Sequence, residues 1–225
     1  MSLFCLVHGS GQGPSGWGLL VPELEKRGHQ TICVDLPTNE PEAGAERYAQ
    51  VIAGTISHQQ SPAVVVAHSA SGLFLPLVPS YCAVSHMLFL AAVIPEPGKS
   101  MMQRFQADRE MFNPEWVGKD PSKDPAVARQ FLYHDCEPQV ANWALTTHRL
   151  MYARAALEQP CPLHSWPKVP STYILPTDDR TINPDWWRKE AERLLGFPPL
   201  EMPGGHCPHV SRPAELAAML DRIAR

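Results

Sequence analysis

The chain has 225 residues, of which 44% are hydrophobic, enough for one sizeable domain with room for an insertion. Its net charge of −4 offers no basic face to a phosphate backbone, which argues against nucleic acid as a partner. No apolar run approaches the ~20 residues that span a bilayer, and Met1-Ser2-Leu3-Phe4 enters an apolar strand without the pattern of a secretion signal, so no membrane association is expected. The six cysteines, Cys5, Cys33, Cys82, Cys136, Cys161 and Cys207, form no Cys-x-x-Cys pair. Cys5 and Cys33 fall inside apolar runs, as buried free thiols do, and this points to a reducing, cytoplasmic location.

Leu3 to Val7 reads as a short strand, followed by a glycine-rich loop from His8 to Gly16. The loop is taken as neither a phosphate loop, since no Gly-Lys-Ser/Thr follows, nor a dinucleotide fingerprint. Trp17 to Lys26 is amphipathic and stops at Gly28, which predicts a helix. Gln30 to Val34 is a second strand, and Glu42 to Ser57 a helix whose apolar face carries Tyr48, Val51, Ile52 and Ile56. Ala63 to Val66 is a strand with the character of one buried on both faces, and Leu73 opens a helix that Pro76 and Pro79 shorten or kink. His86 to Val93 is the fourth strand. Strands alternating with helices imply a parallel sheet with right-handed crossovers.

The alternation breaks between Pro95 and Pro167, where prolines are dense and only helical patches stand out, at Ala126–Tyr133 and Glu137–Leu145. A stretch this long is no connecting loop, so residues 95–167 are expected to form a cap, with residues 1–94 and 168–225 as the core. The cap carries large apolar side chains, of which Phe105, Phe131, Tyr133 and Trp143 are candidates to line a pocket. Alternation resumes with a strand at Ser171–Leu175, a helix at Pro184–Leu195 with proline in its first turn, a short strand at Leu200–Met202 and a closing helix at Pro213–Ile223.

Chemistry concentrates at the ends of these strands. Ala67-His68-Ser69-Ala70-Ser71-Gly72 turns sharply from strand to helix with a serine at the corner, a variant of the nucleophile elbow Gly-x-Ser-x-Gly. Small residues at 67 and 71 leave room for the tight turn. Asp178 and Asp179 follow the fifth strand, and His206 and His209 follow the sixth. The order serine, acid, histidine, each at the C-terminal end of a parallel strand, is that of a hydrolytic triad on an α/β sheet.

With these pieces, the chain resembles the α/β-hydrolases from end to end, and most of all their esterase and hydroxynitrile lyase branch, which includes plant methyl esterases and bacterial relatives. The resemblance rests on Leu6-Val7-His8-Gly9-Ser10, on the elbow, on Asp179-Arg180-Thr181-Ile182, on Gly205-His206 with Ser211-Arg212-Pro213 behind it, and on Phe131-Leu132-Tyr133-His134-Asp135-Cys136. It implies an α/β-hydrolase fold of about six mostly parallel strands flanked by helices, with the cap inserted after the fourth. It favours Asp179 over Asp178, because Asp179 precedes a polar-to-apolar segment and the helix-opening Pro184, and His206 over His209, because two glycines precede it. His8 and His68 are read as orienting or packing residues.

The implied chemistry is hydrolysis of a small or medium, largely apolar carboxylic ester. Ser69 is the nucleophile, His206 the base and Asp179 its orienting acid, with the backbone N–H groups of Ser10 and Ala70 as the oxyanion hole. No cofactor and no metal are implied, the histidines and cysteines not falling at zinc spacings; the partner is the small-molecule substrate, and the protein is a monomer or homodimer. Rival readings share the scaffold. A hydroxynitrile lyase of this branch would carry lysine after the histidine and threonine in the first loop, where this chain has Cys207 and Gly9. A carbon–carbon bond hydrolase or a ligand-binding sensor would use the same pocket.

Overall fold

The computed structural model describes residues 1–37, 39–149 and 154–224. Six strands, β1 (Leu3–Val7), β2 (Gln30–Val34), β3 (Ala63–His68), β4 (Val84–Leu90), β5 (Ser171–Pro176) and β6 (Leu200–Met202), form one sheet in the order β2-β1-β3-β4-β5-β6. The expected mostly parallel sheet is parallel at every pairing. Helix α1 (Leu20–Glu25) follows β1 and α2 (Ala45–Ile56) follows β2. Between β4 and β5 lie α3 (Met101–Ala107), α4 (Pro125–Phe131), α5 (Pro138–Thr146) and α6 (Arg154–Glu158). Helix α7 (Pro184–Leu195) follows β5, and α8 (Pro208–Ser211) and α9 (Pro213–Ile223) end the chain. Among the described residues no helix is long and apolar enough to cross a membrane.

The central strands are unbroken apolar runs because helices cover both faces of the sheet. Every residue of β1 and β3 is buried. Alternate side chains feed two cores: Cys5, Val7, Val65, Ala67, Phe89 and Leu175 pack with α2 and α7, whereas Phe4, Leu6, Val64, Val66, Leu88 and Ile174 pack with α1 and α9. Side chains of period two thus hold two helical layers with one strand set. A third, smaller cluster joins α4 and α5 to Cys207 and to Val210 of α8.

The elements depart from expectation where glycine and proline act. The predicted Trp17–Lys26 helix is a 3-10 turn at Pro14–Trp17 and a shorter α1, since Gly16 and Gly18 disfavour helix around Trp17. The helix expected after Ser69 is two 3-10 segments, Ser69–Leu73 and Leu75–Ser80, because Pro76 and Pro79 lack the N–H that an α-helical ladder needs. Strand β4 runs Val84–Leu90 rather than His86–Val93, ending where Ala91 takes a left-handed φ of 47°.

The chain leaves β1 outward to β2 and then returns to β3 on the other side of β1. Neighbouring loops therefore diverge at the C-terminal ends of β1 and β3 and open a crevice there, the switch point at which open α/β sheets place their sites.

Candidate active site

Ser69 occupies the first position after β3 with φ at 57°, a left-handed backbone on a residue with a side chain. Such a conformation costs about 1–3 kcal/mol and persists only where neighbours fix it. The Val93 N–H donates to the Ser69 carbonyl at 3.0 Å, and the Ser71 hydroxyl donates to the His8 carbonyl. Gly72 lets this turn rest on the end of β4, since a Cβ there would lie 2.9 Å from the Ala92 Cβ. Gly9 does the same for the first loop: its Cβ would stand 3.0 Å from both the Ser69 Cβ and the His68 Nδ1. Small residues at 9 and 72 thus allow two strand ends to close on the serine.

His206 comes off β6 and meets Ser69 across the crevice. Its Nε2 lies 3.0 Å from Ser69 Oγ, and its Nδ1 lies 2.7 Å from Asp179 Oδ2. Both the imidazole and the carboxylate are buried. The other oxygen of Asp179 accepts the N–H groups of Thr181 at 2.7 Å and Ile182 at 3.1 Å and the Thr181 hydroxyl at 2.9 Å. This Asx-turn arrangement leaves only Oδ2 to face the imidazole. Asp178 accepts instead from the Gly204 N–H at 3.1 Å.

The acid loop is held from outside as well. The Asn113 N–H donates to the Thr181 carbonyl at 2.9 Å and the Asn183 N–H to the Met111 carbonyl at 3.2 Å. Asn183 caps α7 by accepting from Asp185 and Trp186 N–H groups, with Pro184 in the first turn. The sequence reading missed Thr181 as a participant: its Oγ1 lies 2.7 Å from His206 Nδ1, so it supplies the ring N–H with a second acceptor. The pattern Asp-x-Thr was the available signal, since a short hydroxyl two residues after an aspartate often closes back on it.

Three further histidines, His8, His68 and His209, pack around the site. His68 Nε2 donates to the His206 carbonyl at 2.9 Å, and its ring centroid lies 4.8 Å from that of His206 and 4.7 Å from that of His209. His209 rests 4.4 Å from the Trp17 ring and donates through Nε2 to Gln12 Oε1 at 3.1 Å. His8 donates through Nδ1 to the Gly9 carbonyl at 2.9 Å and accepts the Leu36 N–H at 3.2 Å. Burial pushes His8 down to about 4, His209 down to about 3 and His68 well below the ordinary histidine value. All three are therefore neutral packing groups near pH 7.

Stability is consequently expected to fall steeply as pH drops from about 6.5 toward 4. In that window an unfolded histidine, with its ordinary value of 6.5, binds a proton that the folded His8 refuses until about 4. The unfolded state then holds more protons, so each falling pH unit removes up to ~1.4 kcal/mol per such histidine. Thermal melts at stepped pH check this, and a flat midpoint between pH 6.5 and 4.5 would contradict it.

Beside Ser69 and His206 is a small cavity of about 40 Å³, walled by Gly9, Ser10 and Gly11 on one side and Trp116, Pro121 and Leu132 on the other. The four aromatic candidates are not among its lining residues. Phe105 packs edge-on against Phe112, Phe131 sits behind Trp116, and Trp143 lies against Gly18. Tyr133 is buried, accepting from Gln12 Nε2 at 3.0 Å and donating to His148 Nε2 at 2.7 Å. Leu132, between Phe131 and Tyr133, turns to the cavity instead. Ser10 lines that cavity, and Ala70 is the second residue of the 3-10 turn Ser69–Leu73, whose first N–H groups have no partner within the turn.

The glycines of the first loop do fall at Gly11-x-Gly13-x-x-Gly16, and Asp35 does follow β2, so spacing alone leaves a dinucleotide site open. Local structure decides against it. That fingerprint needs the N-terminus of a long helix aimed at a pyrophosphate. Here residues 14–17 make a single 3-10 turn, and the segment after α5 lies across the loop. Gly13 N–H donates to the Thr147 carbonyl and Arg149 N–H to the Gly11 carbonyl, both at 3.3 Å, while the Arg149 side chain pairs with Asp35. Among the described residues no group of three histidine, cysteine or acidic side chains is gathered as a metal site requires.

Comparison with known proteins agrees with this fold. The chain is 24% identical over 240 residues to an α/β hydrolase, nvfD, of Aspergillus novofumigatus, covering 97% of this chain and 95% of that protein. It is 25% identical over 252 residues to methylesterase 8 of Arabidopsis thaliana, covering 98% and 89%. The crystal structure of polyneuridine aldehyde esterase superposes with a TM-score of 0.81 at 20% identity, covering all of both chains. The model of the alpha/beta hydrolase family matches residues 6–219, and with the parallel sheet and the elbow in hand the chain belongs to that family.

Proposed function

We propose that the protein is a serine hydrolase of carboxylic esters, with a small to medium, largely apolar substrate. The observation that carries this reading is the alignment of Ser69, His206 and Asp179 through contacts of 3.0 and 2.7 Å. A serine hydroxyl is a poor nucleophile until a base takes its proton. His206 Nε2 would take it as Ser69 Oγ attacks the ester carbonyl, and would then protonate the departing alcohol. Asp179 would fix the imidazole with its proton on Nδ1 and stabilise the imidazolium. Water, activated by the same imidazole, would release the acid from the acyl-enzyme.

The tetrahedral oxygen would be held by the N–H groups of Ser10 and Ala70, each donor contributing about 3 kcal/mol to lowering the barrier. The close approach that Gly9 permits supports this pairing. Residues 95–167 would act as the cap, contributing Trp116, Pro121 and Leu132 to an apolar wall over the serine. The names of the similar proteins, an esterase and a methylesterase, point the same way. The lyase reading lacks its cation: Cys207 is fully buried, and burial holds its thiol protonated and uncharged.

The test is a fluorophosphonate probe with a p-nitrophenyl ester assay. Stoichiometric labelling of Ser69, with loss of turnover in proportion, is expected. Folded protein that neither labels nor turns over an ester would favour a binding role on this scaffold instead.

A further inference from the structure

The loops bearing Asp179 and His206 are tied to each other and to a third segment that the mechanism above does not use. Asp178 N–H donates to the Gly204 carbonyl at 3.0 Å, and Gly204 N–H donates back to Asp178 Oδ2 at 3.1 Å. Onto this pair of loops dock His134 and Asp135, which follow α4 in the segment between β4 and β5. His134 Nε2 donates to the Asp178 carbonyl at 3.0 Å, and Asp135 Oδ2 accepts the Gly205 N–H at 2.8 Å. The contacted backbone groups belong to the residues immediately before Asp179 and immediately before His206.

The Gly204-Gly205 pair is explained by the same docking. A Cβ on Gly205 would lie 2.7 Å from His134 Nε2 and 2.9 Å from Asp135 Oδ1. One on Gly204 would lie 2.9 Å from both Asp135 Oδ2 and Arg212 Nε, and φ there is 114°, a region that glycine alone enters freely. The two glycines thus clear a seat for His134 and Asp135, with Arg212 beside them. Arg180 adds a third tie to this segment by donating to the Gln130 carbonyl at 3.3 Å near the end of α4.

We infer that His134 and Asp135 are positioning residues, a clasp that sets the spacing between the acid and histidine loops and so holds Asp179 and His206 in register with Ser69. The inference rests on the esterase reading. It implies that this end of the cap is fixed to the site, so that substrate enters by movement elsewhere. Misplacing a reacting group by a fraction of an ångström lowers the rate with little effect on binding, which separates positioning from substrate contact.

The experiment uses the full chain with Asp135→Ala, Asp135→Asn and His134→Leu, reading kcat and KM on p-nitrophenyl acetate, the fluorophosphonate labelling rate and the thermal midpoint. Asp135→Ala is expected to lower kcat and the labelling rate in parallel by about tenfold with KM within about twofold. Asp135→Asn, which keeps an oxygen to accept the Gly205 N–H, is expected to recover to within about threefold of wild type, and His134→Leu to lose about threefold in kcat. Wild-type kcat in Asp135→Ala, a loss confined to KM, or an Asp135→Asn as impaired as Asp135→Ala would overturn the clasp. Should Asp135→Ala fail to fold, His134→Leu decides, and wild-type kcat there overturns it. Wild-type protein that never labels at Ser69 would sink the esterase reading itself, a result distinct from all of these.

Discussion

Ser69→Ala is expected to reduce ester turnover by on the order of a million-fold, to the level set by binding and the oxyanion donors alone. The fold should hardly notice. Alanine keeps the Cβ, so the left-handed backbone at position 69 carries the same strain, and the ties from Val93 and Ser71 to this turn do not involve the hydroxyl. What disappears is the 3.0 Å hydrogen bond to His206, worth about 1 kcal/mol net. His206 remains oriented by Asp179 and Thr181. A change of that size shifts the thermal midpoint of a domain this large by about 2–4 °C. Calorimetry beside a steady-state assay reads both quantities. Turnover near wild type would remove Ser69 from the chemistry, and a large fall in the midpoint would make it a structural residue.

The parts of this molecule that depend on local physics were legible in the chain. Unbroken apolar runs marked Leu3–Val7 and Ala63–Val66 as strands, the second, rich in β-branched residues, as one covered on both faces, and alternation with helices gave the parallel sheet. Small residues around Ser69 announced a turn too tight for side chains, which the φ of 57° and the close seat of Gly72 explain. Asp179 and His206, read from order and flanking residues, do lie within hydrogen-bonding distance of each other, across 27 positions of chain.

What remained hidden was long-range. Nothing near Trp116, Pro121 or Leu132 tells which side of α4 faces the serine, because the prolines there break any period that would define a face. Phe131 and Tyr133 looked like pocket aromatics, but a buried aromatic between two short helices satisfies the same composition. The Gly204-Gly205 pair read as a family habit. Much of its physical cause, the room taken by His134 and Asp135, lies some seventy residues away and has no local signature. The helix expected after Ser69 failed for a local reason that was visible, Pro76 and Pro79, whose effect exceeded a kink.

The choice between the two adjacent aspartates makes the sharpest remaining test. Asp179→Asn is expected to lower kcat by on the order of 10⁴-fold. Oδ1 of residue 179 accepts two backbone N–H groups and the Thr181 hydroxyl. An asparagine would therefore keep its carbonyl oxygen on that side and turn its NH₂ toward His206. Two donors cannot face each other, so the ring would carry its proton on Nε2 and present Ser69 with an N–H instead of a base. Thr181 Oγ1, at 2.7 Å from Nδ1, offers the original tautomer one surviving acceptor, and the Thr181→Val partner in a double-mutant comparison measures how much it retains. Asp178→Asn meets a different demand. Its task is to accept the Gly204 N–H at 3.1 Å, which an amide oxygen also does, so kcat should stay within about threefold of wild type. Equal damage from both substitutions would mean that charge on this loop, rather than one oxygen aimed at Nδ1, is what the site needs. The reverse order of damage would place the acid one residue earlier and break the geometry on which the proposed chemistry stands.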